Sequence, residues 1–278
     1  MAVPARLALN PDELNKIDPL PGIQLAQELG VGVEIRMVYG QNILLLDDEK
    51  IAALKQISVS HGVPIVALAT PLFKWTASSS LSSEHVDSFR FPTFIEESDE
   101  LSLVSRAVDI AKALEVPVIR TFSRLRNNPY CRSFEETLAD ALQIAQQHNI
   151  SILLENEPVC NIATTVELLR ILTLFHKDGL GLWLDFANLH DVGEATAHSV
   201  AVLAPHIRYL HLKDYIDFPS RRCYCVLGEG QVPWVRVASD FSALDIPYIA
   251  VETHISDNPE AAIRRSLDFA RTHLLRCA

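Results

Sequence analysis

Short apolar runs alternate with amphipathic stretches along almost the whole chain, and this pattern predicts alternating strands and helices. Strict alternation of this kind implies a parallel sheet, and eight strand–helix units imply closure into a barrel. The predicted strands are Arg6–Leu9, Val31–Ile35, Pro64–Ala69, Val116–Thr121, Ile150–Glu155, Gly181–Asp185, Ile207–Leu212 and Pro247–Glu252.

Helix starts are signalled independently of the strands. Ser133 and Thr164 stand three residues before Glu136 and Glu167, which is the spacing of a capping box. An open doubly wound sheet is the competing architecture, but the Gly-x-Gly-x-x-Gly turn that usually follows its first strand is absent. We therefore interpret residues 1–278 as one α/β domain, a single (β/α)₈ TIM barrel.

One connection is much longer than the others. The segment Pro71–Glu97 carries six serines and several aromatic residues, among them Phe73, Trp75 and Phe91. A long loop with this many aromatic side chains either packs on itself or covers the mouth of the barrel.

Four of the apolar runs end on a residue type that can bind a metal. Glu155, Asp185, His211 and Glu252 each lie at the last or next-to-last position of a predicted strand in the second half of the chain. Barrel active sites lie at the carboxyl ends of the strands, so these side chains are expected to converge. The alternative is that each residue caps the following helix or pairs with a neighbouring Lys or Arg. Three carboxylates and an imidazole suit one divalent metal: Mn²⁺ is our first choice, with Mg²⁺, Co²⁺ or Zn²⁺ as alternatives.

Composition narrows the class of partner. Lysine and arginine total 24 against 35 acidic residues, a formal net charge of −11, which is unfavourable for binding nucleic acid. No apolar run is long enough to cross a membrane, and the amino terminus lacks a secretory signal. The five cysteines are odd in number and scattered, as expected of free thiols, and we expect a cytoplasmic protein.

Five segments carry a family resemblance: Leu153–Pro158, Leu184–Asn188, His211–Asp214, Gly228–Gly230 and Val251-Glu252. They resemble the sugar isomerase/epimerase superfamily, whose members have xylose-isomerase-like TIM barrels. It includes hexulose 3-epimerases, hydroxypyruvate isomerases, inosose and 3-dehydroshikimate dehydratases and, more distantly, AP endonucleases. The resemblance covers nearly the whole chain and implies a homodimer or homotetramer.

The resemblance also implies roles for the four strand-end residues. Glu155, Asp185, His211 and Glu252 would hold one divalent metal, and the glutamates matching Glu155 and Glu252 in the epimerases also exchange the substrate proton. A metal chelated by an α-hydroxy carbonyl polarises the C=O, acidifies the adjacent C–H and stabilises the enediolate. Two carboxylates can then remove a proton and return it. With a β-hydroxyl as leaving group, the same site would dehydrate its substrate.

Lys213 and Asn188 are candidates for contact with the substrate. Lys213 shares strand parity with His211 and can point into the mouth to stabilise an oxyanion; the alternative is a solvated lysine at a strand end. Asn188 matches the second position of the family's Asp-x-x-Asn/His element and could bind a substrate hydroxyl, or it is a loop-turn asparagine.

Four further residues are predicted to bind substrate. Glu157 shares the face of Glu155, where many relatives have histidine, and it either faces the substrate or pairs with Arg120. Arg120 could instead bind a substrate carboxylate or phosphate. Glu34 ends the second strand and either contacts substrate or forms an internal ion pair. Trp75 either walls a sugar ring or packs within its loop.

The first functional hypothesis is a metal-dependent isomerase or epimerase of a small sugar, sugar phosphate or related polyhydroxy carbonyl. The second is a dehydratase of the 3-dehydroshikimate or inosose type. The sequence of Val118–Phe122 resembles that of bacterial 3-dehydroshikimate dehydratases. An endonuclease would need extra histidines on the early strands, which carry none. A barrel that binds a sugar without turning it over is the remaining alternative.

Overall fold

A computed structural model of the chain describes residues 7–78, 87–126 and 133–275, and they form a closed barrel of eight parallel strands. Each strand pairs with its neighbours in chain order, and the first and last strands close the ring. The barrel strands are β1 (Leu7–Leu9), β2 (Gly32–Ile35), β3 (Ile65–Leu72), β4 (Val118–Thr121), β5 (Ser151–Glu155), β6 (Gly181–Asp185), β7 (Ile207–Leu212) and β8 (Tyr248–Val251).

The predicted TIM barrel and all eight of its strands are confirmed, with small differences at the ends. β3 continues to Leu72 because the carbonyl of that residue still accepts from the amide of Phe122 beyond β4. Arg6, the expected first residue of β1, lies outside the described residues.

Nine α-helices surround the described barrel, and short 3₁₀ turns and a terminal π-helical turn, Ala270–Leu274, complete the helical elements. The α-helices are α1 (Leu20–Leu29), α2 (Asp48–His61), α3 (Glu100–Leu114), α4 (Phe134–Gln146), α5 (Thr165–Leu174), α6 (Phe186–Asp191), α7 (Ala197–Leu203), α8 (Trp234–Ser242) and α9 (Pro259–Phe269).

The predicted helix caps are present. The Thr164 side chain accepts from the amide of Glu167, and the Glu167 carboxylate accepts from the amide of Thr164 in return. The Ser133 hydroxyl accepts from the amide of Glu136 at the start of α4. Within the described residues, no helix has both the length and the apolar character needed to cross a bilayer.

The centre of the barrel is filled rather than open. Trp183 of β6 and Tyr209 of β7 stack with their ring centroids 3.6 Å apart, and both are fully buried. Small side chains from opposing strands, including Ala8, Ala67 and Ala250, complete this inner layer. The two rings also contact His211 edge-on, so they form an aromatic floor beneath the carboxyl ends of β6 and β7.

The loop between β3 and α3 shows both of the behaviours that were expected of it. Phe73, Trp75 and Phe91 are buried and pack on one another. Phe89, by contrast, lies over the guanidinium of Arg36 at the mouth of the barrel, 4.4 Å from its centre. Ser79, Ser80, Ser82 and Ser83 lie outside the described residues.

After β7 the chain forms an antiparallel hairpin of Asp214–Phe218 and Arg221–Cys225. The Asp214 carboxylate accepts from the amides of Gly228, Gly230 and Val232, which draws the following turn against the hairpin. Cys160, Cys223 and Cys225 are free thiols, as expected, whereas Cys131 and Cys277 lie outside the described residues.

Candidate active site

The four strand-end residues singled out by the sequence lie together at the carboxyl ends of β5 to β8. Glu155, Asp185 and His211 each offer a ligand atom, and these atoms all lie within 4.8 Å of one another. Glu252 joins them, with Oε2 3.5 Å from Nδ1 of His211. All four side chains are buried. Register explains part of this convergence, because Asp185 and His211 are paired directly across β6 and β7.

The donor atoms of this cluster fit a divalent cation. Glu155 Oε2, Asp185 Oδ2 and His211 Nδ1 are buried, and none has a hydrogen-bond partner of good geometry among the described residues. Nδ1 lies 3.4 Å from Glu155 Oε1 and 3.5 Å from Glu252 Oε2. Ligands about 2.1 Å from one ion lie roughly 3 to 3.5 Å apart, so these separations leave room for a metal at the centre. The two carboxylate oxygens have a cation of the protein nearby but no hydrogen bond of good geometry, and a bound metal would coordinate all three atoms.

Two positively charged side chains pair with carboxylates of the cluster. Arg120 Nη1 lies 2.9 Å from Glu155 Oε2, and Lys213 Nζ lies 2.7 Å from Asp185 Oδ2. Burial alone would raise the pKa of Glu155, but the charges of Arg120 and His211 lower it to about 2. Burial raises the pKa of Asp185 against the opposing charge of Lys213. Glu155 is therefore held as a carboxylate ready to bind a cation.

His211 is oriented from behind by Glu34. Its Nε2 lies 2.9 Å from Glu34 Oε2, and a carboxylate can only accept, so Nε2 carries the hydrogen and Nδ1 faces the cluster. Asn10 donates to the other oxygen of Glu34. Burial lowers the pKa of His211, but Glu34 and Glu252 raise it well above its usual value. A carboxylate behind a histidine is the usual support of a metal-binding imidazole.

Asn156, which the sequence analysis did not single out, fixes the end of β6. Its Oδ1 accepts from the amide of Asp185 and its Nδ2 donates to the carbonyl of the same residue, each at 2.9 Å. Asn188 donates to the carbonyl of Asn156 and its own amide donates to Asp185 Oδ1. The sequence signal that could have identified Asn156 is its position directly after the candidate ligand Glu155, because neighbouring residues of an extended segment point to opposite faces.

Glu252 is surrounded by polar groups from the residue after β2, from the end of β7 and from the segment that follows Glu252 itself. Arg36 Nη1 donates to Glu252 Oε1, and His254 Nε2 lies 3.3 Å from Oε2. Although burial raises it, the pKa of Glu252 lies well below its usual value because of His254, His211 and Arg36. His254 was missed, although it shares the strand parity of Glu252.

A cavity of about 450 Å³, including its open mouth, leads to the cluster. Glu155, Glu252, Lys213, Arg120 and Glu157 line it, as the sequence analysis expected of residues that meet a substrate. Its remaining lining comprises Arg36, Asn42, Ala69, Pro71, Lys74, Asp87, Phe89, Phe122 and His254.

Three of the predicted substrate contacts lie away from this cavity. Glu34 and Asn188 are buried behind the metal cluster, where they hold His211 and the end of β6. Trp75 is fully buried between Phe73 and Phe91, and its Nε1 donates to Glu100. These placements favour positioning and packing roles over contact with substrate.

The expected pairing of Glu157 with Arg120 needs correction. Glu157 Oε2 accepts from Lys74 Nζ at 2.6 Å, and Lys74 comes from the loop after β3. Arg120 is turned inward instead, with Nη2 on the Ala69 carbonyl and Nε on the Thr70 carbonyl. The carboxyl-terminal part of β3 lies beside β4, so the carbonyls of Ala69 and Thr70, and not Glu157, accept hydrogen bonds from the Arg120 guanidinium.

Comparisons with known proteins agree with this architecture. The family model for the xylose isomerase-like TIM barrel matches residues 23–273. An inosose isomerase from Halalkalibacterium halodurans is 24% identical over 135 residues, which is 48% of each chain, so the match spans about half the length of this curated relative. The probable 3-DHS dehydratase AsbF from Bacillus anthracis superposes with a TM-score of 0.73, 17% identity and coverage of 96% of this chain and 98% of its own. The IOLI protein, whose crystal structure has a binding zinc atom, superposes with a TM-score of 0.73 and 17% identity. The superposition covers 97% of this chain and 98% of the IOLI chain.

Proposed function

The chain belongs to the xylose isomerase-like TIM barrel family, and we propose that it is a metal-dependent isomerase or epimerase of an uncharged polyhydroxy carbonyl compound. The observation that carries this proposal is the convergence of two carboxylates on one imidazole nitrogen. Glu155 Oε1 and Glu252 Oε2 lie 3.4 and 3.5 Å from His211 Nδ1. One buried centre thus offers a metal-ligand set and two groups able to carry a proton.

The matched charges of the cavity favour an uncharged substrate. Among its described lining residues, each Lys or Arg already faces a carboxylate: Arg36 faces Glu252, Lys74 faces Glu157, Arg120 faces Glu155 and Lys213 faces Asp185. Arg120 in particular has an oxygen of the protein opposite each of its three nitrogens. A substrate carboxylate or phosphate would have to displace one of these partners, whereas hydroxyl groups can share them.

The residues of the site have distinct roles in the proposed reaction. A bound metal would polarise the substrate carbonyl and acidify the neighbouring C–H. Glu155 and Glu252 would remove that proton and return it. Lys213, whose Nζ lies 4.0 Å from Glu252 Oε2, would donate to a substrate oxygen on which charge develops. The buried Trp183–Tyr209 stack would limit access of water to the cluster from below.

The zinc-containing IOLI structure, the inosose isomerase and the probable dehydratase support a metal-dependent enzyme of carbohydrate-like substrates. Dehydration of a polyhydroxy carbonyl is the alternative reaction for the same set of groups. It differs by the loss of water, so the two reactions are separable by their products.

The test is a substrate screen in D₂O followed by NMR. The metal-stripped protein is reloaded with Mn²⁺, Co²⁺, Mg²⁺ or Zn²⁺ and incubated with neutral ketoses, inososes and 3-dehydroshikimate. We expect deuterium to enter a neutral substrate without loss of water, and we expect Glu155→Gln and Glu252→Gln to lower turnover at least 10²-fold. Glu49→Gln, an exposed carboxylate on α2, is the matched control and should remain active. Turnover of 3-dehydroshikimate alone, with a new alkene or aromatic signal, would replace the isomerase proposal by the dehydratase.

A further inference from the structure

Arg36 has an unusual set of partners for a buried cation. It directly follows the last residue of β2, it is 3% exposed, and each of its three nitrogens faces a carboxylate. Nε donates to Asp12 Oδ2 at 3.0 Å, Nη2 donates to Asp12 Oδ1 at 3.3 Å and Glu13 Oε1 at 3.1 Å, and Nη1 donates to Glu252 Oε1. Three carboxylates therefore share one guanidinium.

A single stabilising ion pair would need only one of these three carboxylates beside Arg36. Removing several charged groups from water together is costly, and buried ion pairs seldom gain stability even when their charges balance. Asp12 and Glu13 come from the 3₁₀ turn after β1, and Glu252 comes from the end of β8. The cluster thus joins three strand ends around one group that lines the substrate cavity.

Glu13 extends the same cluster to the chain beyond Glu252. Its Oε2 accepts from the Thr253 hydroxyl at 2.8 Å and from the His254 amide at 2.7 Å. His254 has a positive φ of 54°, a conformation that costs a non-glycine residue energy and that these hydrogen bonds maintain. On the cavity side, the Phe89 ring covers the guanidinium of Arg36.

The two oxygens of Glu252 are consequently in different surroundings. Oε1 is occupied by Arg36, whereas Oε2 faces His211 Nδ1 at 3.5 Å, His254 Nε2 at 3.3 Å and Lys213 Nζ at 4.0 Å. A carboxylate can rotate about its last side-chain bond, and the hydrogen bond from Arg36 Nη1 limits that rotation because Asp12 and Glu13 hold the guanidinium itself in place.

We propose that Arg36 is a positioning residue that holds Glu252 with Oε2 facing the metal cluster and the substrate, while Asp12 and Glu13 hold Arg36 in place. The proposal rests on the proposed function, since it assigns how one of the two proton-carrying carboxylates is aimed. Arg36 does not itself transfer a proton; it acts through Glu252.

The test is Arg36→Lys, which keeps the positive charge but loses the planar guanidinium whose three nitrogens reach Asp12, Glu13 and Glu252 in a fixed geometry. A displacement of about 1 Å at a reacting group lowers rate by about 10²-fold, so we expect kcat to fall by about 10²-fold while KM changes by less than about threefold. Asp12→Asn, which leaves Arg36 and Glu252 intact but loosens their support, should give a smaller fall in kcat, and it serves if Arg36→Lys folds poorly.

Arg124→Lys is the matched control. Arg124 is also 3% exposed and also forms a buried pair, with Glu100, but it lies outside the cavity. A purely structural role for Arg36 predicts that both variants lose thermal stability and that kcat is preserved in both. Our proposal predicts the loss of kcat in the Arg36 variant alone.

The failure of this proposal is distinguishable from the failure of the proposed function. Wild-type protein that turns over no polyhydroxy carbonyl with any metal contradicts the proposed function. Active wild-type protein with an unchanged kcat in Arg36→Lys and Asp12→Asn overturns the role of Arg36 only. A crystal structure of Arg36→Lys gives a reading independent of activity: we expect the Glu252 carboxylate to rotate, and an unmoved carboxylate would overturn the proposal.

Discussion

Glu34 Oε2 lies 2.9 Å from His211 Nε2, although the two residues are 177 positions apart in the chain. β2 and β7 are not neighbours in the barrel, but both side chains point into its interior, where each is fully buried. The contact fixes which nitrogen of His211 carries hydrogen, so Nδ1 is left for the cluster of Glu155, Asp185 and Glu252. A histidine without this partner could turn its ring or exchange tautomers.

Glu34→Gln tests this relationship. We expect the affinity for Mn²⁺ or Zn²⁺ to fall by about 10- to 100-fold, because an amide supports the imidazole less strongly than a carboxylate. Activity should return when metal is added in excess. Isothermal titration of the metal-stripped protein measures the change, with Glu49→Gln as the exposed control. An unchanged metal affinity would show that Glu34 plays no part in orienting His211.

The residues at the strand ends were predictable because the alternation of side chains along a strand is visible in the local sequence, and because the order of strands and helices indicates a parallel barrel. A β-strand alternates its side chains between two faces, and parallel strands bring their carboxyl ends to one rim, so Glu155, Asp185 and His211 could be expected to meet. Lys213 follows from the same parity as His211, and it does line the cavity.

The partners of these residues were less predictable because they depend on how loops approach one another. Lys74 reaches Glu157 from a loop 83 positions earlier, and Arg36 reaches Glu252 across 216 positions. Nothing local in the sequence ranks Lys74 above Arg120 as the partner of Glu157. Arg120 does not pair with Glu157 because it donates to carbonyls near the end of β3 instead.

The pair Lys74–Glu157 gives a second prediction. Both side chains line the cavity, are partly exposed and lie 2.6 Å apart. We expect them to bind substrate hydroxyls, so Glu157→Gln and Lys74→Met should each raise KM by about tenfold with little change in kcat. Because each residue acts through the other, the double variant should be no worse than the poorer single variant. Additive effects in the kinetic constants would contradict a shared role.

The capping box of α5 makes a prediction about acid stability. Burial raises the pKa of Glu167, but the amides of Ala163 and Thr164 donate to its carboxylate and bring the pKa below its ordinary value of 4.5. A lowered pKa means that the carboxylate stabilises the folded state above about pH 4.5, and that this contribution disappears as the pH falls through the lowered value.

Glu167→Gln should therefore unfold more easily than the wild type at pH 7, by a fraction of a kcal/mol because the side chain is partly exposed. The difference should shrink as the pH falls below 4.5. Thr164→Ala, which removes the other half of the box, should cost about 1 kcal/mol over the whole range. Urea unfolding at several pH values measures both, and a Glu167→Gln deficit that grows in acid would contradict this sign.

The central claim is that side chains from four consecutive strand ends hold one divalent metal. The most direct measurement is the metal content of purified protein after loading with Mn²⁺, Co²⁺, Zn²⁺ or Mg²⁺ and extensive dialysis, determined by elemental mass spectrometry for the wild type, Asp185→Asn and the control Glu49→Gln. We predict close to one metal ion per chain in the wild type and in Glu49→Gln, and close to background in Asp185→Asn. Background metal in the folded wild type for every ion tested, or equal metal in Asp185→Asn, would contradict the account.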